Sequence, residues 1–166
     1  MVFAQISEQK LKRIVQFYTK DYPRSEVINT SKEIKELRTS VRKYALKFNI
    51  PEHILYAIIQ TESDFRYKLN HRWVRTSTFK NGKWARRRTR AIGLGGIIFD
   101  SNGHILKPLG LVKKDMHTIK YNVAAIAAIL RYKINRTGSL KKGLRAYYGS
   151  GWSYPLMVLH RSKRYQ

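Results

Sequence analysis

The run from Pro51 to Phe65, PEHILYAIIQTESDF, constrains this chain more than any other. Its proline suits the first position of a helix, Glu52 sits at the positive end of the macrodipole, and no glycine interrupts the next twelve residues. Leu55, Ile58, Ile59 and Glu62 succeed one another at the spacing of one helix face, so a carboxyl group falls on the side that should enter the core. Removal from water and the negative C-terminal end of the helix both disfavour a carboxylate there. Glu62 should therefore hold its proton to unusually high pH, the state a glycosidase needs for protonating the oxygen of a leaving sugar. The alternative is a last-turn glutamate that turns to water or pairs with a basic side chain, and the stretch by itself leaves both open.

Charge narrows the partners. Lys and Arg number 34 against 10 Asp and Glu, a formal net charge of +24 that attracts polyanions. Nucleic acid is one such partner. Bacterial cell wall, with its peptide carboxylates and attached acidic polymers, is another. The 166 residues make a single domain, 1–166. Without cysteine there are no disulfides and no thiol chemistry, and the five histidines show no paired spacing for a metal, so neither metal nor cofactor is expected. No apolar run is long enough to span a membrane. The opening residues from Met1 to Gln5 turn polar too soon for a secretory signal, so export would use another route or follow removal of a signal.

Periodicity predicts a helix from about Ser7 to Tyr18 with Leu11, Ile14, Val15 and Tyr18 on one face. After a loop containing Pro23, a capping box of Thr30 and Glu33 opens a second helix that buries Ile34, Leu37, Val41, Tyr44 and Phe48. From Arg66 to Arg90 the pattern changes. Two runs rich in β-branched, aromatic and basic residues, 73–79 and 84–90, flank Asn81-Gly82, the signature of a hairpin. Asp100-Ser101-Asn102-Gly103, following the apolar run 96–99, suggests a second short pair of strands. Trp73 and Trp84, interleaved with arginines, could stack on a sugar chain or on nucleic acid, or cover core. Beyond Pro108 helix returns: Val123, Ile126, Ala127, Leu130 and Ile134 form a stripe stopped by Gly138. Ser139 caps a further helix through Tyr148, and Ser153 and Pro155 begin a last one that ends in a basic tail. The economical reading is a mainly α domain of α+β type with a small β-hairpin element.

Three segments in this order resemble the catalytic domain of soluble lytic transglycosylases, the goose-type-lysozyme-like family that cleaves bacterial peptidoglycan. The helix ending in Gln60-Thr61-Glu62-Ser63 is similar to the family's glutamate-serine motif. The segment from Ala91 to Ile97, AIGLGGI, is similar to its A-x-G-L-M-Q segment, and Ala146-Tyr147-Tyr148-Gly149-Ser150-Gly151 to its A-Y-N-A-G segment. Asn122-Val123, opening an alanine-rich helix, resembles a further family helix between them. The likeness covers about 31–152, leaving an N-terminal helix and loop, 1–30, and a basic tail, 153–166.

The resemblance implies a lysozyme-like helical fold working in the cell envelope. It implies Glu62 as the single catalytic acid and then base, Ser63 orienting it or the substrate, and Tyr147 with its hydroxyl near the carboxyl group. Gly93, Leu94, Gly95, Gly96, Ala146, Tyr148 and Asn122 would form the sugar cleft; the hairpin, which the family pattern lacks, could add Trp73, Trp84 or Arg86 to Arg88 reaching over the glycan. Gly95 and Gly96 stand where the family has methionine and glutamine, Tyr148 where it has asparagine, and the hairpin lengthens the interval from Glu62 to Gly93. The implied reaction leaves a 1,6-anhydro-muramic end, consumes no water and needs no second carboxylate. A hydrolytic lysozyme using Asp100 and a nucleic-acid-binding module without catalysis are the alternatives. The implied partner is the peptidoglycan strand; a secretion, conjugation or phage tail assembly that opens the wall locally is a further reading, and a monomer is expected.

Overall fold

The computed structural model describes residues 5–166, and of residues 78–80 and 84 the backbone alone. Ser7 caps helix α1 (Glu8–Thr19), its hydroxyl accepting from the Lys10 N–H. Helix α2 (Ser31–Phe48) opens on the expected capping box. The Thr30 hydroxyl accepts from the Glu33 N–H at 3.1 Å, and Glu33 Oε2 accepts from the Thr30 N–H at 3.0 Å. Asn49 ends α2 in the left-handed conformation and turns the chain into α3 (Glu52–Ser63). Pro51 is the residue before that helix rather than its first turn.

The remaining elements are β1 (Asn70–Lys80), β2 (Lys83–Ile92), α4 (Phe99–Leu106), α5 (Ile119–Thr137), α6 (Leu140–Tyr148) and α7 (Ser153–Ser162). Short 3-10 turns occupy Lys107–Leu109, Lys113–His117 and Lys163–Tyr165. Helix α5 packs against α2 and α6, and α3 packs against α7. Every residue of α3 from Ile54 to Gln60 is buried, so the expected stripe is in fact a helix enclosed on all sides. Full burial of Ile58 and Ile59 alone is worth roughly 1.5–3 kcal/mol per side chain. Helix α5 is likewise buried from Asn122 to Leu130, its alanines letting the neighbouring helices close in. Arg131 on α5 donates through Nε to Phe48 O at 2.7 Å and through its guanidinium to Asn49 O, pinning the corner between α2 and α3.

The basic tail carries a lock as well as charge. Tyr165 is buried, stacks on Tyr56 with ring centroids 5.3 Å apart, and donates to Gln60 Oε1 at 2.7 Å. The C-terminus thereby covers the middle of α3.

Strands β1 and β2 form the antiparallel hairpin that Asn81-Gly82 signals, with both turn residues at positive φ, 52° and 73°. The pairing is regular from Trp73↔Arg90 to Lys80↔Lys83 and breaks between Asn70 and Trp73, where a bulge shifts the register. The second pair of strands does not exist: residues 99–106 are α4. Phe99, Gly103 and Leu106 are buried at helical spacing, and Gly103 lies inside the helix rather than in a turn.

Candidate active site

Glu62 lies in the last turn of α3, and the two residues after that helix keep it at the edge of the core. Asp64 and Phe65 both adopt left-handed backbone, φ 48° and 63°, which costs non-glycine residues roughly 1–3 kcal/mol each. Burial of the Phe65 ring and a hydrogen bond from the Tyr22 hydroxyl to Asp64 Oδ2 at 3.1 Å offset that cost. The helix therefore stops abruptly, and the Glu62 side chain meets the turn after β2.

That turn is built by Asn122. Its Oδ1 accepts from the Gly95 N–H at 2.9 Å while its Nδ2 donates to Ile92 O at 3.1 Å and to Met116 O at 2.7 Å. Three glycines in the turn are dictated by contact, and at Gly95 a Cβ would stand 2.2 Å from Ile126 Cγ1. At Gly93, φ 69°, a Cβ would stand 2.3 Å from Met116 O. At Gly96, φ 58°, it would stand 2.9 Å from Glu62 Oε2 and 3.5 Å from His71 Cε1. The carboxyl group and the imidazole thus both border the space above the bare α-carbon of Gly96. Tyr147, from α6, donates its hydroxyl to Gly95 O at 2.9 Å and closes the other side.

Burial pushes the Glu62 carboxyl up to about 7. The Tyr154 hydroxyl, at the start of α7, offsets part of that rise by favouring the charged form. It approaches the carboxyl without reaching full hydrogen-bond geometry and has no other partner among the described residues. Burial, and then the charge of Glu62, hold both Tyr147 and Tyr154 well above the usual phenol range, so both stay protonated donors. Tyr148 stacks on Tyr154 at 4.7 Å and 11°, which keeps the latter's ring in place. Burial holds His71 below the ordinary imidazole value, with Arg66 adding to the effect and the contact of Nε2 with Gly93 O at 3.0 Å opposing it.

The structure brings Glu62, Gly95, Gly96 and Tyr147 together and separates others from them. Ser63 does not orient the carboxyl group: its buried hydroxyl donates to Ile59 O at 3.0 Å, one turn back in its own helix. Asn122 and Leu94 do not line an open cleft. Both are fully buried, and the amide of Asn122 is engaged on both sides by backbone, so it acts on the site through the turn it holds. Ala146 lines a surface depression of about 420 Å³ with Thr137, Arg145 and Trp152, whose lining includes neither Glu62 nor Tyr147. Trp73 is 51% exposed on the hairpin, and the side chain of Trp84 lies outside the described residues.

Asp100 is occupied elsewhere. Its Oδ2 accepts from Thr89 at 2.9 Å and from Lys113 at 3.2 Å. Partial burial raises its pKa, but these two donors outweigh it and hold the carboxylate below the usual range. Among the described residues no group of three or more His, Asp or Glu is placed to hold a metal.

Two residues of the site carry no sequence signal strong enough to find them. His71 reaches Gly96 because of the bulge at the hairpin root, and Tyr154 reaches Glu62 because α7 packs on α3.

Around this carboxyl group the wider chain fits a known pattern: the family model of the transglycosylase SLT domain matches residues 39–152. The chain belongs to that family. No curated protein and no solved structure matches it. An SLT domain has a mainly α, lysozyme-like fold and the activity of lytic transglycosylases on peptidoglycan, which places its work in the cell envelope. Among the described residues no helix is long and apolar enough to cross a membrane. In this SLT domain the residues outside the match include α1 and the opening turns of α2, together with α7, which supplies Tyr154.

Proposed function

We propose that this SLT domain cleaves the β-1,4 bond between N-acetylmuramic acid and N-acetylglucosamine, with Glu62 as the single acid and then base, and releases a 1,6-anhydro-muramic end. The observation that carries the reading is the Glu62 carboxyl itself. It is withdrawn from water, half protonated near neutral pH, and flanked by neutral hydroxyl and imidazole groups rather than by a second carboxylate.

The chemistry needs no more than that. Glu62 gives its proton to the glycosidic oxygen as the C1–O bond breaks. The positive charge left on the muramic ring is shared with the ring oxygen or taken up by the carbonyl of the sugar's own 2-acetamido group. The new Glu62 carboxylate then takes the proton of the C6 hydroxyl while that oxygen bonds to C1. Glu62 ends protonated, as it began, and no water enters the products. Tyr154, as a neutral donor, stabilises the transient carboxylate between the two proton transfers, while Tyr147, its proton committed to Gly95 O, walls the site.

Mass spectrometry of the fragments released from purified sacculi tests this. Anhydro-ended muropeptides, lost in Glu62→Gln, are expected. Water-terminated ends would assign hydrolysis instead, and would require a water-activating group that Asp100, bound to Thr89 and Lys113, is poorly placed to be.

A further inference from the structure

The hairpin has a face that the reaction does not use. Opposed residues in an antiparallel pair share a face, so the pairs Trp73↔Arg90, Arg75↔Arg88 and Ser77↔Arg86 put one indole and four guanidinium groups on the same side. On the other side Thr89 is buried and donates to Asp100 of α4, so the arginine side is the one turned to solvent. Arg75 directly opposite Arg88 is a like-charge pair, which disfavours the pairing. Nothing in the hairpin neutralises it, since residues 70–92 contain eight Lys and Arg and no Asp or Glu.

Two of these guanidinium groups are also held in place. Arg90 lies over the Trp73 ring at 4.4 Å and Arg88 at 5.6 Å, and Arg90 Nε is shut from water without an acceptor among the described residues. Along β2 the arginines at 86, 88 and 90 recur about every 6.6–6.8 Å. This is a row of forks, two of them fixed, suited to planar anions.

We propose that this face binds the carboxylates of the peptide stems borne by the glycan strand, so that the protein selects stem-bearing peptidoglycan over bare glycan. The inference rests on the peptidoglycan reading above and names the part of that substrate the hairpin takes. Continuity argues for it: the root of the hairpin is also a wall of the catalytic site. The Gly93 N–H donates to Leu69 O at 2.8 Å, and His71, two residues before Trp73, borders Gly96 as the Glu62 carboxyl does. A strand cut at Glu62 passes this root, and its anionic groups are on the stems rather than on the sugars. Nucleic acid is the poorer occupant, because the indole that would stack on a base already carries guanidinium groups.

The test is binding of the full chain, by fluorescence anisotropy, to labelled soluble glycan strands that bear their stems and to the same strands freed of stems by an amidase, which keep only the lactyl carboxylate of each muramic residue, with single-stranded DNA as a third ligand. Two variants accompany the wild type: Arg75→Gln/Arg86→Gln/Arg88→Gln and the matching triple lysine replacement. All three positions are exposed, and melting curves check that both variants fold. The wild type is expected to bind stem-bearing strands ~10-fold more tightly than stripped ones. The glutamine variant should lose that preference, and the lysine variant, with charge but no fork, should keep only part of it. Equal binding of the wild type to both materials, or a preference that survives in the glutamine variant, overturns the proposal. A glutamine variant that loses DNA binding while keeping its preference for stems reassigns the face to nucleic acid. If the peptidoglycan chemistry itself is wrong, sacculi release no product with any form of the protein, a result independent of how the strands bind.

Discussion

The end of α3 and the hairpin treat charge in opposite ways. At Glu62 one ionisable group is taken out of water, and the polar atoms that shape its surroundings are tied to one another: Asn122 to Gly95, Ile92 and Met116, and Tyr147 to Gly95. Along the hairpin, guanidinium groups stand side by side in water with no carboxylate among them. The first arrangement sets a proton affinity and is built from packing. The second leaves affinity for an anion unsatisfied and is built from register. A buried network tolerates almost no change, whereas an exposed strand pair accepts charge reversal at small cost.

The largest break in that contrast should come from Asn122→Ala. It leaves the Gly95 N–H and two backbone carbonyls without their partner in a fully buried place, and should destabilise the fold by roughly 3 kcal/mol or more, read by denaturant unfolding. An effect no larger than that of an exposed asparagine would show that water replaces the amide.

Glu62→Gln should act in the other direction, and only at higher pH. Folded Glu62 holds its proton more tightly than the unfolded chain does, so stability falls as pH rises from about 4.5 to about 7 and the loss is complete above that window. The glutamine variant escapes it. It should exceed the wild type by roughly 3 kcal/mol at pH 8 and match it at pH 4. Parallel curves at both pH values would contradict the burial of the carboxyl group.

Gly96→Ala probes the close approach of the Glu62 carboxyl to the turn. Its Cβ would fall 2.9 Å from Glu62 Oε2 at a φ of 58°, so the carboxyl group must move. A shift on the order of 1 Å in a catalytic group lowers turnover by about 100-fold, measured on sacculi. The smallest effect belongs to the hairpin: Arg75→Glu, placed opposite Arg88, turns repulsion into attraction and should protect the hairpin amides from hydrogen exchange by roughly 0.2–1 kcal/mol.

Much of this architecture is legible in the chain. The capping box at Thr30, the αL stop at Gly138, the cap at Ser139 and the Asn81-Gly82 turn are local features whose chemistry is complete within a few residues. Helix α4 is hidden because Asn102-Gly103 carries the chemistry of a turn, while its helical face, Phe99, Gly103 and Leu106, includes a glycine that gives no apolar signal. The periodicity that puts Glu62 on an apolar face is readable too. The destinations of polar groups are not. Ser63 and Asn122 are the residue types expected at a sugar site, yet their hydrogen bonds go to backbone, and sequence does not say which partner a hydroxyl or an amide will find. His71 and Tyr154 escape for a related reason, because a bulge and a helix crossing aim them at the carboxyl group, and neither is encoded at their own positions.

Direct titration of the Glu62 side-chain carboxyl by carbon NMR in the wild-type protein tests the central claim most closely. A midpoint of about 7 is predicted, in step with the alkaline limb of turnover on sacculi. A midpoint near 4.5, the ordinary value for a solvated glutamate, would contradict the account of Glu62 as a proton-bearing acid.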